Sequence, residues 1–287
     1  MTRLRIAVPS GVGDVYWCLT KLQAFRQARQ AEHVTLCIQR THLPRAHDWA
    51  SMVDFVNAAE DYAFRPDNQA LSTGYSERVA PRGTTARPWR HLRNSGSQQP
   101  RVDCVFWPNA VVDTGRHLRE WMPELELDLS FAVRTAPGPD KRVVVYVSSD
   151  GVNNSWAPNL GPAYWDRLIV ALSKRFGQPP TLIGKSWDAS FRARLSAPVE
   201  DLLDSTTLPE VAGIIERARV LVGIISGMTI LGNHFMTPTV ALYPPKFPSA
   251  FPWTWVKDGA PYVPIATDIV PPPEELAAIA ADIARRG

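Results

Sequence analysis

Cysteine is scarce in this sequence: Cys18, Cys37 and Cys104 are the three among 287 residues. They are widely separated and lie in apolar runs. That excludes a disulfide-built scaffold and predicts buried free thiols of a reducing compartment. No Cys/His cluster has ligand spacing; His42 and His47 are the nearest approach, so no metal site is expected. No apolar run approaches the ~18–20 residues that a membrane span requires. A strand pattern begins at Arg3 and leaves no room for a signal peptide ahead of it, so the expected location is cytoplasmic. Charged residues are 21% and apolar residues 45%, which excludes wholesale disorder.

The length suits two domains of ordinary size. Proline is abundant, at 26 residues, and falls in loops. Net charge is +3, yet it is unevenly spread. Arg65, Arg78, Arg82, Arg87, Arg90 and Arg93 stand against Asp67 and Glu77 between residues 65 and 100, a local +4 that leaves the rest near neutral. From residue 66 to 100 apolar periodicity vanishes, which predicts a long loop, either functional or a solvated insertion. A local basic excess of this kind points to a phosphate-bearing partner.

The remaining pattern alternates short apolar strands with amphipathic helices. Ile6–Val8 predicts a strand, residues 9–14 a turn, Val15–Ala31 a helix with Leu19, Leu22 and Phe25 inward, and His33–Ile38 the next strand. Ser51–Val56 fits a helix end or an edge strand. Arg101–Trp107 predicts another strand, and His117–Met122 a short helix stopped by Pro123. Thr135–Asp140, rich in Pro and Gly, reads as a linker. After it come strands at Arg142–Val147, Pro180–Ile183, Val220–Ile225 and Pro238–Tyr243, and helices at Ala163–Phe176, Leu208–Arg219, Met228–Phe235 and Glu274–Arg286. The expected fold class is α/β. Residues 1–138 form an N-terminal Rossmann-like unit holding the basic loop 65–100, and residues 139–287 a second. Ligands of such sheets bind outside the carboxyl ends of the strands.

Four turns can carry chemistry. Gly11-Val-Gly13-Asp14 follows a strand and opens a helix; Tyr16 stands where a dinucleotide fingerprint has its third glycine, which argues against an NAD enzyme. Asp14 is either a general base or a helix cap. Ser226-Gly227-Met228-Thr229 either cradles phosphate with amides and hydroxyls or is an ordinary strand–helix turn. It is not a nucleophile elbow, since Ile224 replaces the required glycine. The polar turn from Ser148 and Ser149 through Asn153 to Trp156 either meets a nucleotide or is solvated. In Gly184-Lys185-Ser-Trp187-Asp188, Asp188 can take ribose hydroxyls and Trp187 border a base, or they serve as cap and core. Among ten tryptophans, those beside polar loops (107, 121, 156, 253, 255) are candidate ring walls, though packing is the commoner use.

The run Val222-Gly-Ile-Ile-Ser-Gly-Met-Thr-Ile-Leu-Gly-Asn-His-Phe-Met-Thr-Pro-Thr-Val-Ala-Leu-Tyr243 resembles the strand–turn–helix of glycosyltransferase family 9, which includes the lipopolysaccharide heptosyltransferases. Gly11-Val-Gly-Asp14, Trp156 with Trp165-Asp-Arg-Leu168, and Thr207-Leu-Pro-Glu210 support it in order along the chain. The resemblance implies a GT-B fold with the acceptor on the first domain and the nucleotide-sugar on the second. It implies no cofactor and no metal, Asp14 as base, Ser226 to Thr229 at the diphosphate, and Asp188 near the ribose. Gly11, Gly13, Arg87, Arg90 and Arg93 fall on the acceptor side. The chain departs from the family at Ile225 and Ile230, where an Asp and a His are common, and at Ser155, where a Lys often precedes the tryptophan. Lys185 and Asn153 are candidate replacements for that charge.

The resemblance implies an inverting, metal-independent transferase that moves a sugar from a nucleotide-sugar to an acceptor hydroxyl, by family default on a cell-envelope saccharide. The basic loop keeps a second acceptor in play, a hydroxymethylated pyrimidine in DNA. The missing polar residues keep a third reading, a non-catalytic nucleotide- or nucleic-acid-binding module.

Overall fold

A computed structural model of the chain describes residues 2–40, 44–77, 101–148, 160–185, 188, 192–266 and 268–286. Packing divides it into two units, Met1–Asp128 and Leu129–Gly287.

The first unit is built on a five-stranded sheet. Its strands are β1 (Arg3–Val8), β2 (His33–Gln39), β3 (Ala58–Tyr62), β4 (Tyr75–Ser76) and β5 (Cys104–Phe106), in the order β3-β2-β1-β5-β4. All pairings are parallel except β4 with β5. Helix α1 (Val12–Ala28) begins three residues earlier than its apolar pattern predicts, because the glycine turn itself is helical. It buries Val15 through Leu22 without a break, rather than one face. Sheet residues cover one side, and the opposite side meets the loops: Trp49 packs on Tyr16 at 6.2 Å, and the buried Lys21 ammonium donates to the carbonyls of Met122 and Leu125 at 3.1 and 2.6 Å. Burying an ammonium is tolerable only with such partners. Cys18, Cys37 and Cys104 are buried free thiols, as expected.

Short helices α2 (Trp49–Met52), α3 (Asn68–Thr73) and α4 (Asn109–Val112) complete this unit. Helix α3 and β4 overturn the expectation of an unbroken loop from residue 66. Asp67 caps the helix, accepting from the Ala70 N–H at 2.8 Å, and Gly74 ends it in the left-handed region at φ 80°. The Gly74 carbonyl then accepts from the Trp121 indole at 2.9 Å and the Trp107 N–H at 2.7 Å. A Cβ at Gly74 would lie 2.6 Å from the Trp121 ring. Gly74→Ala is therefore expected to cost about 2 kcal/mol or more, from the positive φ and the displaced indole together; thermal melting checks it, and an unchanged midpoint contradicts it.

The second unit holds six strands, all parallel: β6 (Val143–Tyr146), β7 (Thr181–Leu182), β8 (Glu200–Asp201), β9 (Val220–Ile224), β10 (Thr239–Tyr243) and β11 (Tyr262–Ala266), in the order β11-β10-β9-β6-β7-β8. Helix α5 (Pro162–Phe176) has Pro162 at its first position, Gly177 in the left-handed region after its end, and Leu168 and Leu172 buried as predicted. Helices α6 (Leu208–Glu216), α7 (Gly227–His234) and α8 (Pro273–Arg286) follow.

The segment read as a linker, Thr135–Asp140, packs into this unit. Ala136 donates to the Pro209 carbonyl at 3.0 Å, and Arg217 donates to the carbonyls of Ala136 at 2.6 Å and Gly138 at 3.1 Å. Gly213 on α6 has no room for a side chain beside the Ala136 carbonyl. The division accordingly falls after Asp128 rather than after residue 138. Among the described residues no helix is long and apolar enough to cross a membrane, and no group of three or more His, Cys, Asp or Glu could hold a metal ion.

Candidate functional site

Each sheet has one place where the chain reverses its direction of winding. In the first unit it lies between β1 and β5, since β2 and β3 extend to one side of β1 and β5 lies on the other. Connections leave such a point toward opposite faces, so a crevice opens outside the carboxyl ends of the two strands. Gly11–Asp14 follows β1 and Asn109 follows β5, and the register of Ile6 with Cys104 and Ala7 with Val105 brings the two segments side by side.

Asp14 occupies the third position of α1, behind the N-cap Gly11. Its carboxyl folds back over Gly11 and accepts from the Gly11 N–H. A Cβ at Gly11 would meet that carboxylate, so a side chain there would push the Asp14 carboxyl out of this position. The other oxygen, Oδ1, accepts from Asn109 Nδ2 at 2.9 Å. Burial pushes the Asp14 carboxyl above its ordinary range, against the lowering effect of those two hydrogen bonds. Gly13 is buried beneath this turn. Asn109 was not among the residues singled out in the sequence. The signal was there: Pro108-Asn109 directly follows a strand, but its meaning depends on β5 lying next to β1.

In the second unit the reversal lies between β6 and β9. Ser148 follows β6, and Ser226-Gly227 follows β9. Ser226 caps α7: its hydroxyl oxygen accepts from the Met228 N–H at 3.1 Å, while the Thr229 hydroxyl accepts from the Ser226 N–H and donates to the Ser226 carbonyl, both at 3.0 Å. Ser226 and Gly227 are half-buried and present the helix N-terminus; Met228 and Thr229 are buried. The four residues named from the sequence thus divide into an outer pair and an inner pair. Thr229 is a strut, and Tyr262 on β11 braces it from behind, with its hydroxyl 2.6 Å from that of Tyr243 on β10.

Asp188 is fully buried. It accepts from the Ser148 hydroxyl and, at 3.1 Å, from the Lys185 N–H, folding tightly over Gly184. The carboxylate thus ties the ends of β6 and β7 together. Lys185 reaches Asp204 at 3.7 Å and the Thr206 carbonyl at 3.4 Å. Ile225 and Ile230 are buried. Trp121 and Trp255 are fully buried packing residues, whereas Trp253 is 55% exposed. Ser149, Asn153, Ser155, Trp156, Trp187, Arg87, Arg90 and Arg93 lie outside the described residues.

No family model matches the sequence, and no curated protein matches it. Solved structures do match in fold. A glycosyl transferase of family 9 from Veillonella parvula aligns over 100% of this chain and 98% of its own, with a TM-score of 0.60 and 12% identity. The E. coli ADP-heptose lipopolysaccharide heptosyltransferase II aligns over 100% and 99%, with a TM-score of 0.59 and 15% identity. The E. coli heptosyltransferase WaaC, solved with ADP-2-deoxy-2-fluoro heptose, aligns over 99% and 98%, with a TM-score of 0.53 and 13% identity. The chain therefore has the α/β fold of the GT-B type, two units each with a parallel sheet, and shares it with these glycosyltransferases from end to end.

Proposed function

We propose that this protein is an inverting glycosyltransferase whose base is Asp14. The observation that carries the reading is the Asp14 carboxyl: raised by burial, held at two oxygens by Gly11 and Asn109, and set at the reversal point of its sheet. Asp14 takes the proton of an acceptor hydroxyl, the hydroxyl oxygen attacks the anomeric carbon, and the nucleoside diphosphate departs with the electron pair. The leaving charge meets the N-terminus of α7 at the Gly227 amide and the Ser226 hydroxyl, on a turn whose Ser226 backbone is held by Thr229 and whose Ser226 hydroxyl accepts from the Met228 N–H. Ser148, Ser149, Asn153 and Lys185 complete the donor side in this reading, and no step is assigned to a metal or cofactor. Asp188 acts on the donor by fixing Ser148 rather than by meeting the ribose, since its carboxylate is already engaged.

Binding of ADP-, UDP-, GDP- and dTDP-sugars to the purified chain, measured by calorimetry, tests the donor half. One nucleotide is expected to bind in the micromolar range, and its binding is expected to fail in Gly227→Val; binding that survives Gly227→Val removes the α7 turn from the site. The acceptor is a saccharide. Labelled donor offered with an envelope saccharide or with hydroxymethylpyrimidine DNA decides this directly. Label entering DNA alone would reassign the acceptor, and would give Arg87, Arg90 and Arg93 a phosphate-binding role readable as a steep salt dependence. Donor binding with no transfer to either would favour the non-catalytic module.

A further inference from the structure

The two oxygens of the Asp14 carboxyl face partners of different kinds. Oδ2 lies over Gly11, whose backbone N–H donates to the carboxyl. A backbone N–H can only donate. Oδ1 accepts from Asn109 Nδ2 at 2.9 Å, and a primary amide carries an acceptor beside its donors. That acceptor, Asn109 Oδ1, is enclosed and has no hydrogen-bond partner among the described residues. An enclosed acceptor left unused costs free energy. Asn109 opens α4 directly after β5, and the pairing of Ile6 with Cys104 and of Ala7 with Val105 holds it beside the turn that carries Asp14. The bond thus joins the ends of two neighbouring strands through residues 95 apart in the chain.

We propose that Asn109 is a positioning residue with two settings: its Nδ2 donates to the ionised Asp14, and once Asp14 has taken the acceptor proton the amide turns over and its Oδ1 accepts the Asp14 O–H. The proposal rests on Asp14 being the base of transfer. The acceptor O–H breaks and its proton goes to Asp14 Oδ1. The acceptor oxygen bonds the anomeric carbon, the bond from that carbon to the diphosphate oxygen breaks, and the diphosphate keeps the electron pair. Asn109 acts only through Asp14. A neutral carboxylic acid carries one O–H and needs an acceptor for it. At Oδ2 the Gly11 N–H would point at that hydrogen, so the proton belongs on Oδ1. Oδ1 has a second lone pair, where the proton is delivered; rotation about the C–O bond then carries the O–H to Asn109. Turning the amide over exchanges an oxygen and a nitrogen of nearly equal size in one plane, so it needs no extra room. One end of the amide stays enclosed in either setting, and the bond to Asp14 decides which end that is.

The test is a 1H–15N spectrum of the full chain labelled with 15N-asparagine at pH 8. The Asn109 amide is identified by its loss in Asn109→Leu or in Asn109→Gln. Asp14→Asn stands for the neutral acid, since it offers one acceptor oxygen and one donor in the same place. In the native protein one Asn109 amide proton is expected downfield, as the donor to a carboxylate. In Asp14→Asn that downfield shift is expected to pass to the introduced amide. An Asn109 proton that stays downfield in Asp14→Asn shows a fixed amide and overturns the proposal. Kinetics supply the second readout. Asn109→Leu keeps the outline of the side chain and loses both settings; its kcat is expected to fall by about tenfold or more, a share of the about 10²–10⁴ that a general base contributes, with KM for donor and acceptor within a few-fold of native. Asn109→Gln retains a reversible amide and is expected to recover most of that loss. Native kcat in Asn109→Leu, or Asn109→Gln no better than Asn109→Leu, would also overturn the proposal. Failure of the base reading looks different: Asp14→Asn then transfers sugar at the native rate, whatever the amide signals show.

Discussion

Asp14→Asn is expected to slow sugar transfer by about 10²–10⁴-fold, the usual contribution of a general base, while the protein becomes no less stable at pH 8. The second half follows from the direction of the Asp14 shift. Burial raises this carboxyl in the folded chain, so folding favours the neutral acid. A group shifted this way contributes stability that is fully present below its unfolded value and is lost as pH rises through its folded value. At pH 8 the ionised carboxylate is therefore a cost, which the neutral amide removes. The amide also fits the site. Its oxygen can still accept from the Gly11 N–H, and its nitrogen can donate to Asn109 Oδ1 once that amide turns over, because Oδ1 has no other partner among the described residues. Melting curves at pH 5 and 8 should show the variant gaining on the native protein at the higher pH. A helix cap predicts the reverse on both counts, with a lower melting point and normal turnover. That pair of results would retire Asp14 as base.

The sequence made the central strands legible and left the edges dark. β1, β2, β6, β9 and β10 are short apolar runs between turn residues, and apolar runs are what buried parallel strands require. β3 reads Ala-Ala-Glu-Asp-Tyr and β8 is Glu200-Asp201; both are polar edge or near-edge strands whose pairing partner, not their composition, makes them strands. Helix α3 was readable in principle, from Asp67 and Gly74 as its two ends, but its short length gave no periodicity to notice. The site divides in the same way. Asp14 and the Ser226 turn follow strands directly, so local order exposes them. Asn109 matters only because β5 lies beside β1, which local order does not contain. Thr229 and Asp188 are both buried: Thr229 bonds the Ser226 backbone, and Asp188 bonds the Ser148 hydroxyl and the Lys185 N–H, contacts that depend on neighbours far apart or folded back in the chain.

Asp188→Ala is expected to be the most destabilising single change in the second unit's site. Its carboxylate is buried and, among the described residues, holds the Ser148 hydroxyl and the Lys185 N–H. Removing it leaves both without that partner in an enclosed place, at about 1–3 kcal/mol each. For a chain of this size each kcal/mol moves the melting midpoint by about 2–4 °C, so a fall on the order of 10 °C is expected. Donor affinity should fall with it, by tenfold or more, because Ser148 loses what orients it at the carboxyl end of β6. Asp188→Asn separates holding from binding. Its amide keeps an oxygen for the Lys185 N–H and a second group for the Ser148 oxygen, so both stability and donor affinity should stay within a few-fold of native. An acid that gripped a ribose would behave otherwise: Asp188→Asn would then lose donor affinity sharply while melting as the native protein does. Calorimetry of the bound nucleotide, beside melting curves for the two variants, distinguishes a carboxylate that positions the turn from one that touches the ligand.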